Sequence, residues 1–395
     1  MVRQPLVRKR TRRVGRVGLG LAAAALAFSL LSCPHAPPPP HPNATLRNPA
    51  ERQLDDALAD LYAQSGAAGM VIAVVQADRV TIRGYGRIGP DDPRVPDGAT
   101  LVRLQSISKL LASQLLAKLV AKNRLALNDA LQRYAPAGGR VPQAKGAPPI
   151  TLLDLATHTS GLPRVAAIQA DLPAPKAFEA RWAWLTRQKR LPAPGAIAVY
   201  SNLGFDLLGD ALASAANAPY GEALGREVTG PLGMKDTTAA PSAEKCARLM
   251  AGDAARRAWP CFDRTGDAAS GGVYSTAGDM ALWMKHELAP GAGADERRIS
   301  QAIYVNRAVL KSAEGLDHAG PATGIGLAWI QLDATATHAR LIEKTGGGDG
   351  FLSYIVLDPA HRVGLFFAIN NVSGHRLPSL AAGANDLVGQ LGAAR

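Results

Sequence analysis

The sequence predicts an α/β fold joined to an all-helical part: an antiparallel sheet built from both chain ends, flanked by helices, with a helical region inserted between its halves. Three observations carry this. Hairpin patterns occur near residues 70–85 and again at 351–369. The stretch from about 110 to 290 is mostly helical spacing and loop. No internal repeat divides the chain, so strand signals at the two ends have to meet in one sheet.

Element by element, residues 51–64 place Leu54, Leu58, Leu61 and Tyr62 at a helical period. Met70–Val75 and Val80–Tyr85 flank a polar turn at Asp78-Arg79 and read as a hairpin. Leu110, Leu111, Leu115, Leu116, Leu119 and Val120 make a strongly apolar helix that opens at Ser106, and Leu203–Leu212 makes another. Gly326–Leu332 and Leu341–Thr345 read as one strand each. Phe351–Leu357 and Val363–Ile369 flank Asp358-Pro359-Ala360-His361-Arg362 as a second hairpin. From Leu377 onward, Leu380, Ala381, Leu387, Val388 and Leu391 give a closing helix one buried face.

The chain has 395 residues, of which 47% are apolar and 19% charged, enough for a sizeable core and too apolar for disorder. Aromatic residues are only 5%, a poor basis for stacking nucleic-acid bases. The net charge of +12 is concentrated at the start: Arg3, Arg8, Lys9, Arg10, Arg12, Arg13 and Arg16 have no compensating acid before residue 33, and without these seven the charge falls to +5. No basic stripe for nucleic acid remains, and a mildly basic domain suits a partner bearing carboxylates.

The basic start precedes an apolar stretch, Val17–Leu31, too short to cross a membrane and suited to a secretory signal. It ends in Leu30-Leu31-Ser32-Cys33, which resembles a bacterial lipoprotein cleavage box, so residues 1–32 are expected to be removed and Cys33 to carry lipid. Arg12-Arg13 offers a twin-arginine export alternative that the following residues fit poorly. Residues 33–50 form a Pro-rich tether, extended and semi-rigid; His35 and His41 within it read as incidental. The folded domain spans 51–395, with its helical insert at approximately 122–290. Cys246 and Cys261 form an even pair, expected to be a disulfide in an oxidising compartment.

Three short motifs carry the chemistry. Ser106-Ile107-Ser108-Lys109 puts a hydroxyl and an amine on one helix face. A serine is a poor nucleophile until a neighbour takes its proton, and a lysine can do so only when neutral, which burial and a second cation can arrange. With 17 Ser and 12 Lys, about half a match to this spacing is expected by chance, so the motif gains force only from its order with the others. Tyr200-Ser201-Asn202 supplies a phenol to shuttle a proton and an amide to hold a substrate amide. Lys344-Thr345-Gly346-Gly347-Gly348 leads into a strand along which an extended substrate could pair, its glycines permitting close approach. A rival frame, Ser242, Lys245, Tyr304 and Asn306 with the same Lys344, fails because Ser242 opens a polar segment whose Glu244 would keep a lysine charged. His158 is expected to be a hydrogen-bonded loop residue rather than a base. No zinc motif and no Gly-x-Ser-x-Gly elbow occurs, and no metal or cofactor is expected.

Taken together, Ser-x-x-Lys, Tyr-x-Asn and Lys-Thr-Gly in this order resemble the penicillin-recognising serine enzymes, in their class C β-lactamase-like branch and its D-alanyl-D-alanine carboxypeptidase/endopeptidases. Thr157-His158-Thr159-Ser160-Gly161-Leu162-Pro163, Ser270-Gly271-Gly272-Val273-Tyr274-Ser275-Thr276, Pro231–Thr238 and the Cys246–Cys261 spacing are similar too. The resemblance covers roughly 51–395; the tether and lipoprotein box depart from it. It implies a β-lactamase/transpeptidase-like fold and peptidoglycan stem peptides as substrate, with β-lactams as mimics. It implies Ser106 as nucleophile, with Lys109 and Tyr200 moving the proton. Backbone N–H groups of Ser106 and Gly347 would form the oxyanion hole. Asn202 would hold the substrate amide, and Lys344 with Thr345 and Gly346 its carboxylate end. The expected location is periplasmic, on a membrane face through lipid. A class C-type β-lactamase, an esterase on the same scaffold, and a non-catalytic cell-wall binding lipoprotein are the rival readings.

Overall fold

The structure, a computed structural model, describes residues 49–143, 145–166, 172–252, 261–348, 350–370 and 376–394. The signal segment, Cys33 and the tether through residue 48, with His35 and His41, lie outside the described residues.

In chain order, helix α1 (Pro49–Ser65) leads into the hairpin β1 (Gly69–Gln76) and β2 (Arg79–Gly86). After β3 (Leu101–Arg103) the chain enters helices: α2 (Ser108–Ala121), α3 (Leu152–Ala156), α4 (Ala174–Arg187), β4 (Ala198–Val199), α5 (Asn202–Ala216), α6 (Tyr220–Leu224) and α7 (Ala243–Cys246). Then come β5 (Tyr274–Thr276), α8 (Ala277–Leu288) and α9 (Ala294–Gln301). The chain returns to strands with β6 (Ile303–Asn306), β7 (Ala313–Glu314), β8 (Gly324–Gly326), β9 (Ile330–Leu332), β10 (Leu341–Gly348), β11 (Phe351–Asp358) and β12 (Val363–Asn370), and closes on α10 (Leu377–Ala393).

Eight strands form one antiparallel sheet in the order β2-β1-β12-β11-β10-β9-β8-β6, so β1 from the start of the domain pairs with β12 from its end (Gly69 opposite Asn370). This is the sheet from both chain ends that the sequence predicts. Its central strands are apolar at nearly every position because both faces are covered. Val71, Ala73 and Val75 of β1 face a core shared with α2, α5 and α8, while Met70, Ile72 and Val74 face a second core with α1 and α10. Buried leucines of α2 (Leu110, Leu111, Leu115, Leu116, Leu119) fix that helix beneath the site, each worth about 1.5–3 kcal/mol of burial.

Two expectations are corrected. Gly326–Leu332 is not one strand but two, β8 and β9, turned back on each other by Ala328 at φ 63° with Gly326 N bonded to Trp329 O; every residue of the turn is buried, so no polar signal marks it. Ser106 does not open the helix: it sits in a 3₁₀ turn, Gln105–Ile107, and α2 begins at Ser108. The Cys246 and Cys261 sulfurs are bonded, with Cα atoms 5.6 Å apart.

Candidate active site

The site forms where the nucleophile turn, the start of α5 and the edge of β10 meet. Gln105 holds a left-handed backbone (φ 51°) immediately before Ser106, a strained arrangement for a residue with a side chain. Its Nε2 donates to Gly348 O at 3.1 Å, tying the turn to the end of β10. Gly346 shows why that approach is possible: a Cβ there would lie 2.5 Å from Leu104 O and 2.3 Å from Ser353 Oγ. Gly346, which also lines the cavity, thus seats the strand against the turn. Ser353 Oγ completes the junction by donating to Leu104 O at 2.8 Å.

Lys109, 3 residues after Ser106, and Tyr200, 94 residues after it, converge on its hydroxyl. Tyr200 OH donates to Ser106 Oγ at 2.5 Å, and Lys109 Nζ lies 3.3 Å from the same oxygen. Lys109 is fully buried and donates to Ser270 O at 2.5 Å and to Asn202 Oδ1 at 2.8 Å. Burial pushes its amine down to about 7, with Arg164 pushing the same way and Asp206 opposing. Proton counting gives the consequence. A neutral amine has two N–H bonds and one lone pair. With both N–H groups held by Ser270 O and Asn202 Oδ1, the lone pair falls on Ser106 Oγ, in position to take its proton.

Lys344 is buried as well, and burial lowers its amine from the usual value, with Tyr200 and Glu343 opposing. Its Nζ lies 4.9 Å from the Tyr200 ring centre, on which Lys109 Nζ (4.8 Å) also bears. Thr345, Gly346, Gly347 and Gly348 join Ser106 and Tyr200 around a cavity of about 420 Å³. Asn202, with Oδ1 taken by Lys109, keeps its amide N–H₂ for a ligand.

The surrounding motifs hold this geometry. Ser201 caps α5 by accepting from Gly204 N at 2.9 Å and donates to Pro163 O at 2.7 Å. His158 (φ 62°) is fully buried, stacks on Tyr200 at 4.5 Å, and accepts from Ser201 N through Nδ1 at 3.0 Å. Burial and the nearby Lys344 and Lys109 hold it well below the usual imidazole value, so it is neutral, with its proton on Nε2. It braces the phenol and is not placed to act as a base. Val273 N donates to Ser108 Oγ, locking the Ser270–Thr276 segment to α2 and aiming the Ser270 carbonyl at Lys109.

The rival frame does not assemble. Ser242 is exposed and caps α7, Lys245 pairs with Asp236, and Tyr304 bonds Ile299 O. Two contributors lie outside the three chemical motifs: Ser270, whose segment the sequence marks but whose carbonyl it does not, and Asp206, one turn along α5 from Asn202. Asp206 has a buried, unpartnered Oδ1, and its carboxyl is pushed up to about 7 by burial, with Arg181 opposing and Asp267 adding. Its signal was an acid set among leucines at i+4 from Asn202. Among the described residues no cluster of His, Cys, Asp and Glu suits a metal ion, and no helix is long and apolar enough to cross a membrane.

Comparison with known proteins agrees with this architecture. The family model described as "Beta-lactamase" matches residues 54–390. The D-alanyl-D-alanine-carboxypeptidase/endopeptidase AmpH of Escherichia coli K12 is 38% identical over 376 residues, 94% of this chain and 96% of that protein. The crystal structure of a beta-lactamase/D-alanine carboxypeptidase from Yersinia pestis, complexed with citrate, superimposes with a TM-score of 0.79 at 37% identity, covering 86% of this chain and 97% of that one. A class C beta-lactamase from Rhodobacter sphaeroides shares the fold at 22% identity and a TM-score of 0.66, over 85% of this chain and 97% of that one.

Proposed function

The chain belongs to the beta-lactamase family, and from that premise we propose that it is a peptidoglycan DD-peptidase, a serine-type D-Ala-D-Ala carboxypeptidase/endopeptidase that is also acylated by penicillins. One observation carries the reading: a serine hydroxyl held within 3.3 Å of both a phenol and an amine whose proton affinity burial has lowered to about 7. The E. coli relative bears that activity in its name.

In this reading Ser106 Oγ attacks the carbonyl carbon of the penultimate D-Ala while Lys109 takes its proton. The oxyanion rests on the N–H groups of Ser106 and Gly347, and loss of one such donor typically costs about 2.7–4 kcal/mol of transition-state stabilisation. As the C–N bond breaks, Tyr200 OH gives its proton to the leaving nitrogen and takes one back from the Lys109 ammonium. Asn202 donates its amide N–H to the acyl-side carbonyl, and Lys344 and Thr345 bind the terminal carboxylate beside Gly346. Water then attacks the ester, gives a proton to the Lys109–Tyr200 pair, and Ser106 leaves with one.

Around this chemistry we place a signal in residues 1–32, a tether in 33–50 lipidated at Cys33, and a peptidase domain in 51–395 with the helical insert at approximately 122–290. The protein would act in the periplasm on a membrane face, where the Cys246–Cys261 pair stays oxidised.

The test is to incubate purified protein with muropeptides and, separately, with a penicillin, reading products and intact mass. Release of D-alanine or opening of crosslinks, with a penicilloyl mass lasting minutes on Ser106, is the expected result. Rapid turnover of a cephalosporin would make the enzyme a β-lactamase. Hydrolysis of short acyl esters without D-alanine release would make it an esterase, and full peptide cleavage by S106A would remove the catalytic assignment.

A further inference from the structure

Beyond Lys344 the cavity continues over residues that none of the motifs requires. Arg164, next after the Thr157–Pro163 motif, lines the cavity with Ser106, Tyr200 and His318. Its guanidinium carbon lies 4.8 Å from the Tyr200 ring centre. Its backbone is fixed to the start of α5, because Arg164 O accepts from Asn202 N at 2.8 Å and from Leu203 N at 3.3 Å. Across from it, the chain leaves β7 through Gly315 (φ 73°), where a Cβ would come 3.6 Å from Arg164 Nη1 and 3.1 Å from Tyr200 Cβ. Gly315 therefore leaves the guanidinium its place beside the phenol. Among the described residues no carboxylate pairs with Arg164, and the cavity lining contains no Asp or Glu. An arginine with an open donor fork, in a cavity whose described lining holds no Asp or Glu, is a site for a carboxylate.

Its position tells which end of the substrate it meets. With the terminal carboxylate at Lys344–Thr345 and the oxyanion at Gly347, the acyl portion runs toward Gly348 and Phe351. Arg164 bears on the same Tyr200 ring as Lys344 (4.8 and 4.9 Å from its centre) and lines the cavity with His318, which puts its guanidinium beside the end where Lys344 lies. We propose that Arg164 forms a leaving-group subsite that binds a second carboxylate, so that the preferred substrates release an acidic amino acid or acidic peptide rather than D-alanine alone. This rests on the peptidase reading and deepens it: a leaving fragment with more than one carboxylate is what a crosslink between acidic peptides supplies, so Arg164 tilts the enzyme toward endopeptidase action.

The experiment compares two peptides ending in D-Ala–D-Glu and D-Ala–D-Gln, isosteric apart from the second carboxylate. Wild type should favour the acid by about ten-fold in kcat/KM, mostly through KM. R164A should bring the acid/amide ratio close to one and R164K should leave it intermediate. The ratio cancels any effect on chemistry common to both peptides, and R164Q serves if R164A folds poorly. Calorimetric binding of the same pair to S106A separates the two readings. An Arg164-dependent preference for the acid without cleavage by wild type would sink the peptidase reading and keep the subsite. Equal affinity for acid and amide, or a ratio unchanged in R164A, would overturn the subsite.

Discussion

Asp206→Asn tests whether a buried carboxyl outside the three motifs sets the working pH of the site. Lys109 titrates at about 7 instead of its usual 10.5, a destabilisation of the ammonium by roughly 5 kcal/mol at about 1.36 kcal/mol per unit. Burial is the largest cause, and the Asp206 charge works against it. One unit charge acting through a site of effective dielectric about 20 is worth on the order of one pKa unit. The sign follows: removing the anion makes the ammonium less stable, so Lys109 loses its proton at lower pH. The gain is confined to pH values at which Asp206 is ionised: around pH 7, where Lys109 is about half neutral, it stays under about two-fold, and at pH 8 it is about 1.1-fold. Because Asp206 itself titrates at about 7, the wild-type acid limb is spread by two groups and that of D206N should follow a single proton. The assay is the second-order rate of acylation by a chromogenic β-lactam from pH 5 to 9. An acid limb that stays put or moves upward, or an equal loss of rate at every pH, would refute the argument; the last of these is what a merely structural aspartate would give.

Other perturbations have distinct signatures. Asn202→Asp would put an anion 2.8 Å from Lys109 Nζ, so the acid limb should move up in pH and acylation at pH 7 should fall by about ten-fold or more. Gly346→Ala drives a methyl into Leu104 O and should cost about 1–3 kcal/mol in chemical unfolding, with β-lactam acylation falling further than stability alone explains. Glu343→Gln removes a buried carboxyl that helps keep Lys344 charged; the basic limb of 1/KM for carboxylate substrates should move to lower pH, and an unmoved limb would dissociate the two residues. Replacing Cys246 and Cys261 together by Ser opens a loop of sequence separation 15 and should lower stability by about 3 kcal/mol, read as a fall in Tm that reductant reproduces in the wild type.

The parts of the fold legible in the sequence are those written locally. Continuous apolar runs such as Met70–Val75 and Val363–Ile369 mark strands covered on both faces, and the polar breaks at 78–79 and 358–362 mark their turns. The β8–β9 reversal was not legible, because its turn is buried and its one unusual backbone position belongs to an alanine. The three motifs converge as their order suggests, yet the strain at Gln105 and the 3₁₀ turn beneath Ser106 exist only because Leu104, Ser353 and Gly346 are pressed together from three segments. Ser270 contributes a carbonyl, and no residue type announces a carbonyl. Asp206 was readable in principle: Asn202, Asp206 and Asp210 recur every four residues on an otherwise apolar helix, a polar stripe running inward from the site.

That stripe bears on how one pocket keeps two lysines in different states. Lys109 has to be neutral to take a proton, and Lys344 has to be charged to hold a carboxylate, yet burial pushes both downward. A carboxylate in direct contact would fix either amine as an ammonium. Neither lysine has one. Glu343 precedes Lys344 on β10 and points through the opposite face of the sheet, toward the α1–α10 side with Ile330 and Val356. Asp206 is set behind Ser270, whose carbonyl, not the carboxylate, meets Lys109. Both acids are themselves pushed up by burial, to about 8 and about 7, so each compensates its lysine only in part. Tyr200 is the first of the influences opposing the burial of Lys344, and Lys109, at a similar distance from the same ring, donates to the neutral acceptors Asn202 and Ser270. Burial thus pushes both amines the same way, and the distant acids oppose it only in part. A substitution in direct contact with Lys109 should therefore move the pH profile further than one at Asp206, which is the order expected for N202D and D206N, with opposite signs.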